Sequence, residues 1–340
     1  MWLAFESSCD ESALALVSEQ GEVLGEWLHT QIEKHAEYGG VVPDLAVGEH
    51  LNNFIPLLGL ALSEFDLPTI VTRIVVTRGP GLVGCLGMGI TFAKSLGLIW
   101  NVPVFGANHL RGHAFSVFMQ EISNGQLPWG NVLPHLGLLV SGGNTLLFEL
   151  TETRKIKVIA ETVDDAAGEA LDKGAKLLGI PYPGGAKMEV VAKEGKSNMY
   201  DFPRAFPGKK ELKFSFSGLK TSLLYKIKGW SNQEIYRAKP DLCASFQQAV
   251  VDQLVRKSRH VIDQGQFKSF GLSGGVANNE LLRHEFSNLC EEKSVRFLAA
   301  QKKHTGDNAA MIGFAAFADS GVLLNNVDQA LSFDPSLRLV

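Results

Sequence analysis

One pattern occurs twice along this chain and constrains its fold more than any other: a strand, a tight turn and further strands, standing at the head of each half. The first occurrence takes Trp2 to Phe5, Ala13 to Val17 and Val23 to His29, with Glu19-Gln20-Gly21-Glu22 as the turn between the last two. The second takes Leu136 to Val140, the turn Ser141-Gly142-Gly143, Leu146 to Leu150 and Ile156 to Glu161. Each head is followed by helical spacing and a further strand. In the first half Leu45 to Ser63 reads as a helix, Ile74 to Thr77 as a strand, and Leu82 to Trp100 as a second helix. In the second half the helices are Ala166 to Gly179, Asp241 to Gln264 and a segment after Val276, with a strand at Ser269 to Leu272. The expected class is therefore α/β, with two duplicated lobes and a central cleft. A repeated turn at the head of each lobe can present two loops to one phosphate-bearing ligand, although structural repeats often bind nothing.

At 340 residues the chain exceeds what one small core organises, and its 45% hydrophobic and 20% charged residues are those of a folded protein. The expected lobes are residues 1–115 and 116–310, with a helix at about 311–330 packing back on the first. A net charge of -4 argues against a wholly basic surface, so a nucleic-acid site would have to be a local patch. Cys9, Cys85, Cys243 and Cys290 lie far apart with no C-x-x-C pair, which disfavours a disulfide framework and a thiolate zinc site. The opening Trp2-Leu3-Ala4-Phe5 is broken by Glu6, and neither a signal peptide nor a transmembrane helix is expected. The simplest compartment is the cytoplasm.

Residues 180–240 read as an insertion, rich in Pro, Gly and Lys and weak in periodicity. Between Arg204 and Lys239 nine Lys or Arg residues face only Glu211 and Glu234, interleaved with Phe206, Phe214, Phe216, Tyr225, Trp230 and Tyr236. Cations for phosphates and rings for stacking make this stretch the best local candidate for nucleic acid, against the plainer reading of a solvated loop.

His109-Leu-Arg-Gly-His113 places two imidazoles four apart, on one face of a helix, where both can grip one metal ion. The spacing lacks the glutamate of H-E-x-x-H, which counts against a zinc peptidase. Asp307, in Thr305-Gly-Asp-Asn308, reads first as a helix cap. Three glycine turns, Gly79-Pro80-Gly81, Ser141-Gly142-Gly143 and Ser273-Gly274-Gly275, offer bare amides to an anion. None matches the Walker or dinucleotide fingerprint. Asp10 and Glu11 end the first strand region, and Asp164, Asp165, Glu169 and Asp172 cluster in the second half. Such acids hold a metal, a ribose or a water, or simply face solvent.

Ordered strings along nearly the whole length carry a resemblance. They are Glu6-Ser-Ser-Cys-Asp-Glu-Ser12, His35-Ala-Glu-Tyr-Gly-Gly-Val-Val-Pro-Asp-Leu-Ala46, Gly79-Pro-Gly-Leu-Val-Gly84, Asn108-His-Leu-Arg-Gly-His113 and Ser141-Gly-Gly-Asn-Thr145. Asp164-Asp-Ala-Ala-Gly-Glu-Ala170, Tyr182-Pro-Gly-Gly185, Phe214-Ser-Phe-Ser-Gly-Leu-Lys-Thr221, Ser273-Gly-Gly-Val-Ala-Asn-Asn279 and Thr305-Gly-Asp-Asn-Ala-Ala-Met311 follow. The chain resembles the TsaD family of tRNA N6-adenosine threonylcarbamoyltransferases, once labelled glycoproteases. The resemblance implies an actin-like ATPase fold of two lobes and transfer of threonylcarbamoyl from threonylcarbamoyl-AMP to an adenosine of tRNA. It implies one divalent metal, iron or zinc, on His109, His113 and Asp307, with magnesium accompanying the nucleotide as a further option. It carries phosphate contacts to Leu139, Val140, Ser141, Gly142 and Gly143, ribose contacts to Asp172 and Glu189, and adenine contacts to Gly185 and Asn279. Asp10 or Glu11 becomes the acceptor of the amine proton. The implied partners are tRNA, an inactive paralogue of the same fold and a small P-loop ATPase. Where the family usually reads Ser-Gly-Gly-His-Thr this chain has Asn144, which cannot take up a proton. The rival readings are a small-molecule kinase or ATPase of the same fold, a metallopeptidase and a non-catalytic scaffold.

Overall fold

The computed structural model describes residues 1–208, 211–319, 321, 323–324 and 331–340. They form two compact units, residues 1–129 with 300–340, and residues 130–299.

The first unit opens with β1 (Trp2–Glu6), β2 (Glu11–Val17) and β3 (Val23–Thr30), an antiparallel meander. Two short helices, α1 (Ile32–Ala36) and α3 (Leu67–Ile70), flank the long α2 (Pro43–Glu64). Then come β4 (Arg73–Gly79), α4 (Val83–Trp100), β5 (Val104–Asn108) and α5 (His109–Ser116). β1 runs parallel to β4, and β4 parallel to β5. All five residues of β1 are buried because the strand is central, whereas β3 alternates as an edge strand does. Proline is tolerated at the start of α2, where its missing amide has no helical partner. The inner face of α2 buries Ala46, His50, Phe54, Leu57 and Ala61, at three- and four-residue steps; its outer face exposes Leu51, Ile55, Leu60 and Leu62. α2 and α4 are long and apolar enough to cross a membrane by length and composition alone, a test that core helices also pass. Their buried faces are spent on the core: Phe5, Phe54, Leu57, Ile90, Ala93 and Leu96 belong to one cluster.

The second unit repeats the plan. After the short α6 (Trp129–Val132), β6 (His135–Val140), β7 (Thr145–Leu150) and β8 (Ile156–Glu161) form an antiparallel meander. α7 (Ala167–Leu177), α8 (Gly184–Ala192), α9 (Ser217–Lys226) and α10 (Asn232–Gln264) precede β9 (Ser269–Ser273), α11 (Glu280–Lys293) and β10 (Arg296–Ala299). The sheet order is β10-β9-β6-β7-β8, and β6, β9 and β10 are parallel. Element for element this is the order β5-β4-β1-β2-β3 of the first unit, so the duplication read from sequence extends to strand order and sense.

The stretch 180–240 is not an insertion of weak structure. It contains α8, α9 and the first nine residues of α10, which begins at a capping box of Ser231 and Glu234 and continues through Pro240. Met188, Phe202, Phe214, Phe216, Leu219 and Leu223 are core residues. Asp164 fastens this stretch to the sheet, accepting from the amides of Phe216 at 2.8 Å and Ser217 at 3.3 Å and from the hydroxyls of Ser215 at 2.5 Å and Ser217 at 2.7 Å. Partial burial raises its pKa, but these donors, the Ser215 hydroxyl foremost, outweigh burial and hold it below the usual carboxylate value. A depressed folded-state pKa stabilises above the unfolded value and is lost as pH falls through the folded one. Asp164→Ala is therefore expected to lower stability by about 1 kcal/mol at neutral pH, the usual cost of a lost helix-start acceptor. The difference from wild type should narrow as pH drops below about 4, as read from urea midpoints; a pH-independent difference would contradict this account.

After β10 the chain returns to the first unit as α12 (Ala309–Ala318) and β11 (Leu323–Leu324), the latter antiparallel to β5. The helix expected over about 311–330 ends at Ala318, and residues 320, 322 and 325–330 lie outside the described residues. The unit boundaries also differ from 115/116 and 310. Phe115, Phe118 and Trp129 pack edge to face on one another and keep the chain in the first unit to Trp129. All four cysteines are free. Burial pushes the Cys85 thiol up to about 11 and those of Cys243 and Cys290 up to about 12.

Candidate metal and nucleotide sites

Asn108 ends β5 and caps α5, its side-chain oxygen accepting from the amides of Leu110 at 2.9 Å and Arg111 at 3.3 Å. His109 and His113 then fall one turn apart on a buried face, their rings 4.7 Å apart and nearly perpendicular. α12 packs directly on α5. A β-carbon at Gly112 would meet Ile312 at 2.9 Å and Met311 at 3.2 Å, so the glycine inside His109-Leu-Arg-Gly-His113 permits the approach that delivers Asp307. The Asp307 carboxylate lies 3.0 Å from His113 Nε2 and 3.5 Å from His109 Nε2. It is not a helix cap: that role belongs to Asn308, whose side chain accepts from the Met311 amide at 2.8 Å.

Behind His109 stands Glu6, wholly buried at the end of β1. It accepts from the Ser8 amide at 2.6 Å, the Thr77 hydroxyl at 2.6 Å and His109 Nδ1 at 3.0 Å. With Nδ1 donating to Glu6, Nε2 is the ring nitrogen that faces Asp307 and would be the one to bind a metal. Burial opposes charge on His109, but Glu6 and then Asp307 overcome it and push its pKa up to about 9. Burial likewise raises Asp307, and the two imidazoles, His109 foremost, pull it down to about 2. Two carboxylates around two imidazoles favour positive charge in their midst. Among the described residues this is the one group of three or more His, Cys, Asp or Glu whose ligand atoms all lie within 4.8 Å of one another. Its two nitrogens and one carboxylate oxygen, with a carboxylate behind one imidazole, fit a divalent iron or zinc ion. Sequence assigns Glu6 no role, although it opens the string Glu6-Ser-Ser-Cys-Asp-Glu-Ser12 and is an acid closing an otherwise apolar strand.

The turn before Asp307 is fastened by Glu26 of β3, which pairs with Lys303 and His304 at 2.5 Å each. Asp10 is buried and Glu11 begins β2. Burial, then the Asp10 and Asp307 charges, raise the Glu11 pKa well above the usual carboxylate range. The first glycine turn is packed against its own chain, the Gly81 amide donating to the Pro335 carbonyl at 3.3 Å. A β-carbon at Gly79 would meet the Asp334 carbonyl oxygen at 1.8 Å, and one at Gly81 the Ser8 carbonyl oxygen at 2.6 Å. Those glycines serve chain packing.

In the second unit Leu139 and Val140 close β6, fully buried, and lead into the open turn. The Ser141 amide donates to the Asn144 carbonyl at 2.8 Å, and the Asn144 amide to the Ser141 hydroxyl at 3.0 Å. Position 144 thus shapes the turn through its backbone, which asparagine supplies as well as histidine does. Gly142 and Gly143 meet nothing within 4 Å where a side chain would begin. α7 starts beside this turn, the Gly168 amide reaching the Ser141 carbonyl at 3.2 Å. Five residues after Ala167, Asp172 accepts from the Gly185 amide at 2.7 Å, at the start of α8. Burial raises the Asp172 pKa against the pull of that amide and its neighbour. One turn along α8, Glu189 accepts from the Glu280 amide at 2.6 Å, next to Asn279. Asn279 caps α11 by accepting from the Leu282 amide at 2.9 Å and donates to Gln247 at 3.0 Å. Asp172, Gly185, Glu189 and Asn279 are thus neighbours around α8.

A family model described as tRNA N6-adenosine threonylcarbamoyltransferase matches residues 22–314. A relative of that description from Anaeromyxobacter sp. (strain Fw109-5) is 43% identical over 340 residues, covering 99% of each chain. Another, from Anaeromyxobacter dehalogenans (strain 2CP-1), is 41% identical over 341 residues, again covering 99% of each. Among solved structures, full-length HypF in its phosphate- and nucleotide-bound form superposes with a TM-score of 0.57 at 12% identity, over 93% of this chain and 46% of that one. HypF of T. kodakarensis gives 0.58 at 16% identity, over 93% and 47%. The Acidaminococcus fermentans (R)-2-hydroxyglutaryl-CoA dehydratase component A gives 0.50 at 13% identity, over 93% and 96%. At such identities the structural neighbours speak to fold alone, and the fold they share with this chain is the actin-like ATPase fold.

Proposed function

The chain belongs to the TsaD family of tRNA N6-adenosine threonylcarbamoyltransferases, and from that membership we propose its reaction in detail. The donor is threonylcarbamoyl-AMP, the acceptor is the N6 amine of the adenosine adjacent to the anticodon in tRNAs reading codons that begin with A, and AMP is released. The observation that carries this reading is 43% identity along 99% of both chains with a relative of that description.

His109, His113 and Asp307 are the proposed metal ligands, supported by the convergence of their ligand atoms. When bound there, iron or zinc supplies Lewis-acid polarisation of a carbamoyl or phosphate oxygen. Glu6 orients His109 by holding the proton on Nδ1. The Ser141 hydroxyl and the amides of Gly142 and Gly143 donate to the AMP phosphate, following Leu139 and Val140 out of the sheet, and stabilise the charge that gathers as the acyl–phosphate bond breaks. Asp172 and Glu189 each spend a carboxylate oxygen on a neighbouring backbone amide and offer their remaining lone pairs to ribose hydroxyls. Gly185 and Asn279 flank the adenine. As the N6 nitrogen bonds to the carbamoyl carbon it must lose a proton, and Asp10 or Glu11 accepts it. The reaction places the enzyme with tRNA in the cytoplasm, working with an inactive paralogue of its own fold and a small P-loop ATPase.

The test is reconstitution: the purified chain with those two partners, threonine, bicarbonate, ATP, Mg and unmodified tRNA, followed by mass spectrometry of the nucleosides. The expected result is threonylcarbamoyladenosine at the position beside the anticodon, with no ATP turnover by the isolated chain and no peptide cleavage under zinc. ATP turnover without tRNA, and no modified nucleoside, would instead favour a kinase or ATPase.

A further inference from the structure

The basic, aromatic stretch of the second unit is only partly consumed by its own fold. Phe214 and Phe216 are core, Arg204 pairs with Asp252 and Asp201, and Lys226 lies over the rings of Tyr200 and Phe202. Among the other described residues, Trp230 packs half-buried against the core, and Lys213, Lys220, Tyr225, Lys228, Tyr236 and Arg237 are exposed. α9 buries Leu219 and Leu223 and exposes Ser217, Lys220, Thr221, Leu224 and Tyr225, positions that recur every three or four residues and so form one face. Lys228 continues that face just past the helix end, and the first turns of α10 add Tyr236 and Arg237. Tyr225 is 68% exposed and Tyr236 is 74% exposed.

Among the described residues Lys220, Lys228 and Arg237 make no ion pair, whereas Lys173, Lys193, Arg204, Arg259 and Lys293 all do. The neighbouring acid Glu234 is committed to the capping box with Ser231. Lys239 stands 6.0 Å from the Tyr236 ring centre. Unpaired cations beside solvent-exposed rings match the two demands of RNA binding, phosphate neutralisation and a flat surface on which an unpaired base can stack.

We propose that the solvent face of α9 with the first turns of α10 is a tRNA-binding surface: Lys220, Lys228 and Arg237 on phosphates, and Tyr225 and Tyr236 as stacking platforms. This rests on tRNA being the acceptor.

The full chain is compared with the charge variant K220A/K228A/R237A and the ring variant Y225A/Y236A, both confined to exposed side chains. tRNA dissociation constants are measured over a range of salt, and transfer is measured in the complete system with tRNA and donor varied separately. The charge variant should bind tRNA at least about tenfold more weakly, with the slope of log affinity against log salt reduced by about 2. The ring variant should lose about tenfold with its salt slope unchanged. KM for tRNA should rise in both, with kcat and donor KM preserved, and K220R/K228R/R237K should restore binding. Wild-type affinity and slope in both alanine variants would overturn the proposal. So would unchanged tRNA binding accompanied by lost binding to phosphatidylserine vesicles, which would make the face a membrane contact. Should wild type transfer nothing to tRNA, the functional reading fails, and the binding comparison still decides the surface.

Discussion

Asp307→Ala is expected to leave the chain folded, to strip it of metal under chelator competition, and to cut threonylcarbamoyl transfer by at least about a thousandfold. The magnitude follows because a Lewis acid is worth several kcal/mol and each factor of ten in rate costs about 1.4 kcal/mol. The fold survives because Asp307 carries no cap: Asn308 starts α12, and Gly112 with Met311 and Ile312 seats α12 on α5 without the carboxylate. Replacing His109 is a less clean experiment, since it strands Glu6, buried with only the Ser8 amide and Thr77 hydroxyl for company. Glu6→Gln offers a graded control. It keeps an acceptor inside the pocket but loosens the grip on His109 Nδ1, and metal affinity should fall by about 10- to 100-fold with all three ligands intact. Metal stoichiometry, melting temperature and transfer rate are read on the same preparations. An Asp307→Ala protein that keeps its metal and its wild-type rate would end the assignment of this triad.

The contrast between Asp307 and Glu6 shows where sequence is informative and where it is silent. Two histidines four apart announce themselves because helix geometry alone puts them on one face. Asp307 stands 194 residues from His113, and only a family likeness could pair them. Glu6 meets Thr77 and His109 across 71 and 103 residues, and neither its place in the string Glu6-Ser-Ser-Cys-Asp-Glu-Ser12 nor its position at the end of an apolar strand names those partners. The sheets were legible because burial on both faces leaves continuous apolar runs in β1 and β6 and because the plan occurs twice. The stretch 180–240 was not. Pro240 and the surrounding lysines mask the start of α10, whose first nine residues lean on a capping box rather than on an apolar stripe. The stop of α12 is hidden because Ala309–Ala318 is buried nearly all round, so no amphipathic period marks it. Of three similar glycine turns, the first proved to be filled by Ser8 and Asp334, a distinction of tertiary packing that composition cannot express.

That distinction yields the second large effect, within the two remaining turns. Gly274→Ala is expected to destabilise the protein by about 2–5 kcal/mol, because two independent costs coincide at one residue. Gly274 sits at φ 90° and ψ 162°, a backbone region that side chains disfavour strongly. A β-carbon there would also stand 2.3 Å from the Val140 carbonyl oxygen. Relief requires moving either the end of β9 or the end of β6, and β6 is buried on both faces between β7 and β9. Gly142→Ala makes the opposite case. Nothing lies within 4 Å of its added methyl, so stability should stay within about 0.5 kcal/mol of wild type. The same methyl projects beside the amides proposed to cradle phosphate, and AMP affinity should fall by about tenfold for each hydrogen bond it displaces. Thermal unfolding and calorimetric titration with AMP separate the two variants. A Gly274→Ala protein that melts with wild type would refute the backbone argument, and a Gly142→Ala protein that binds AMP as wild type does would move the phosphate away from this turn.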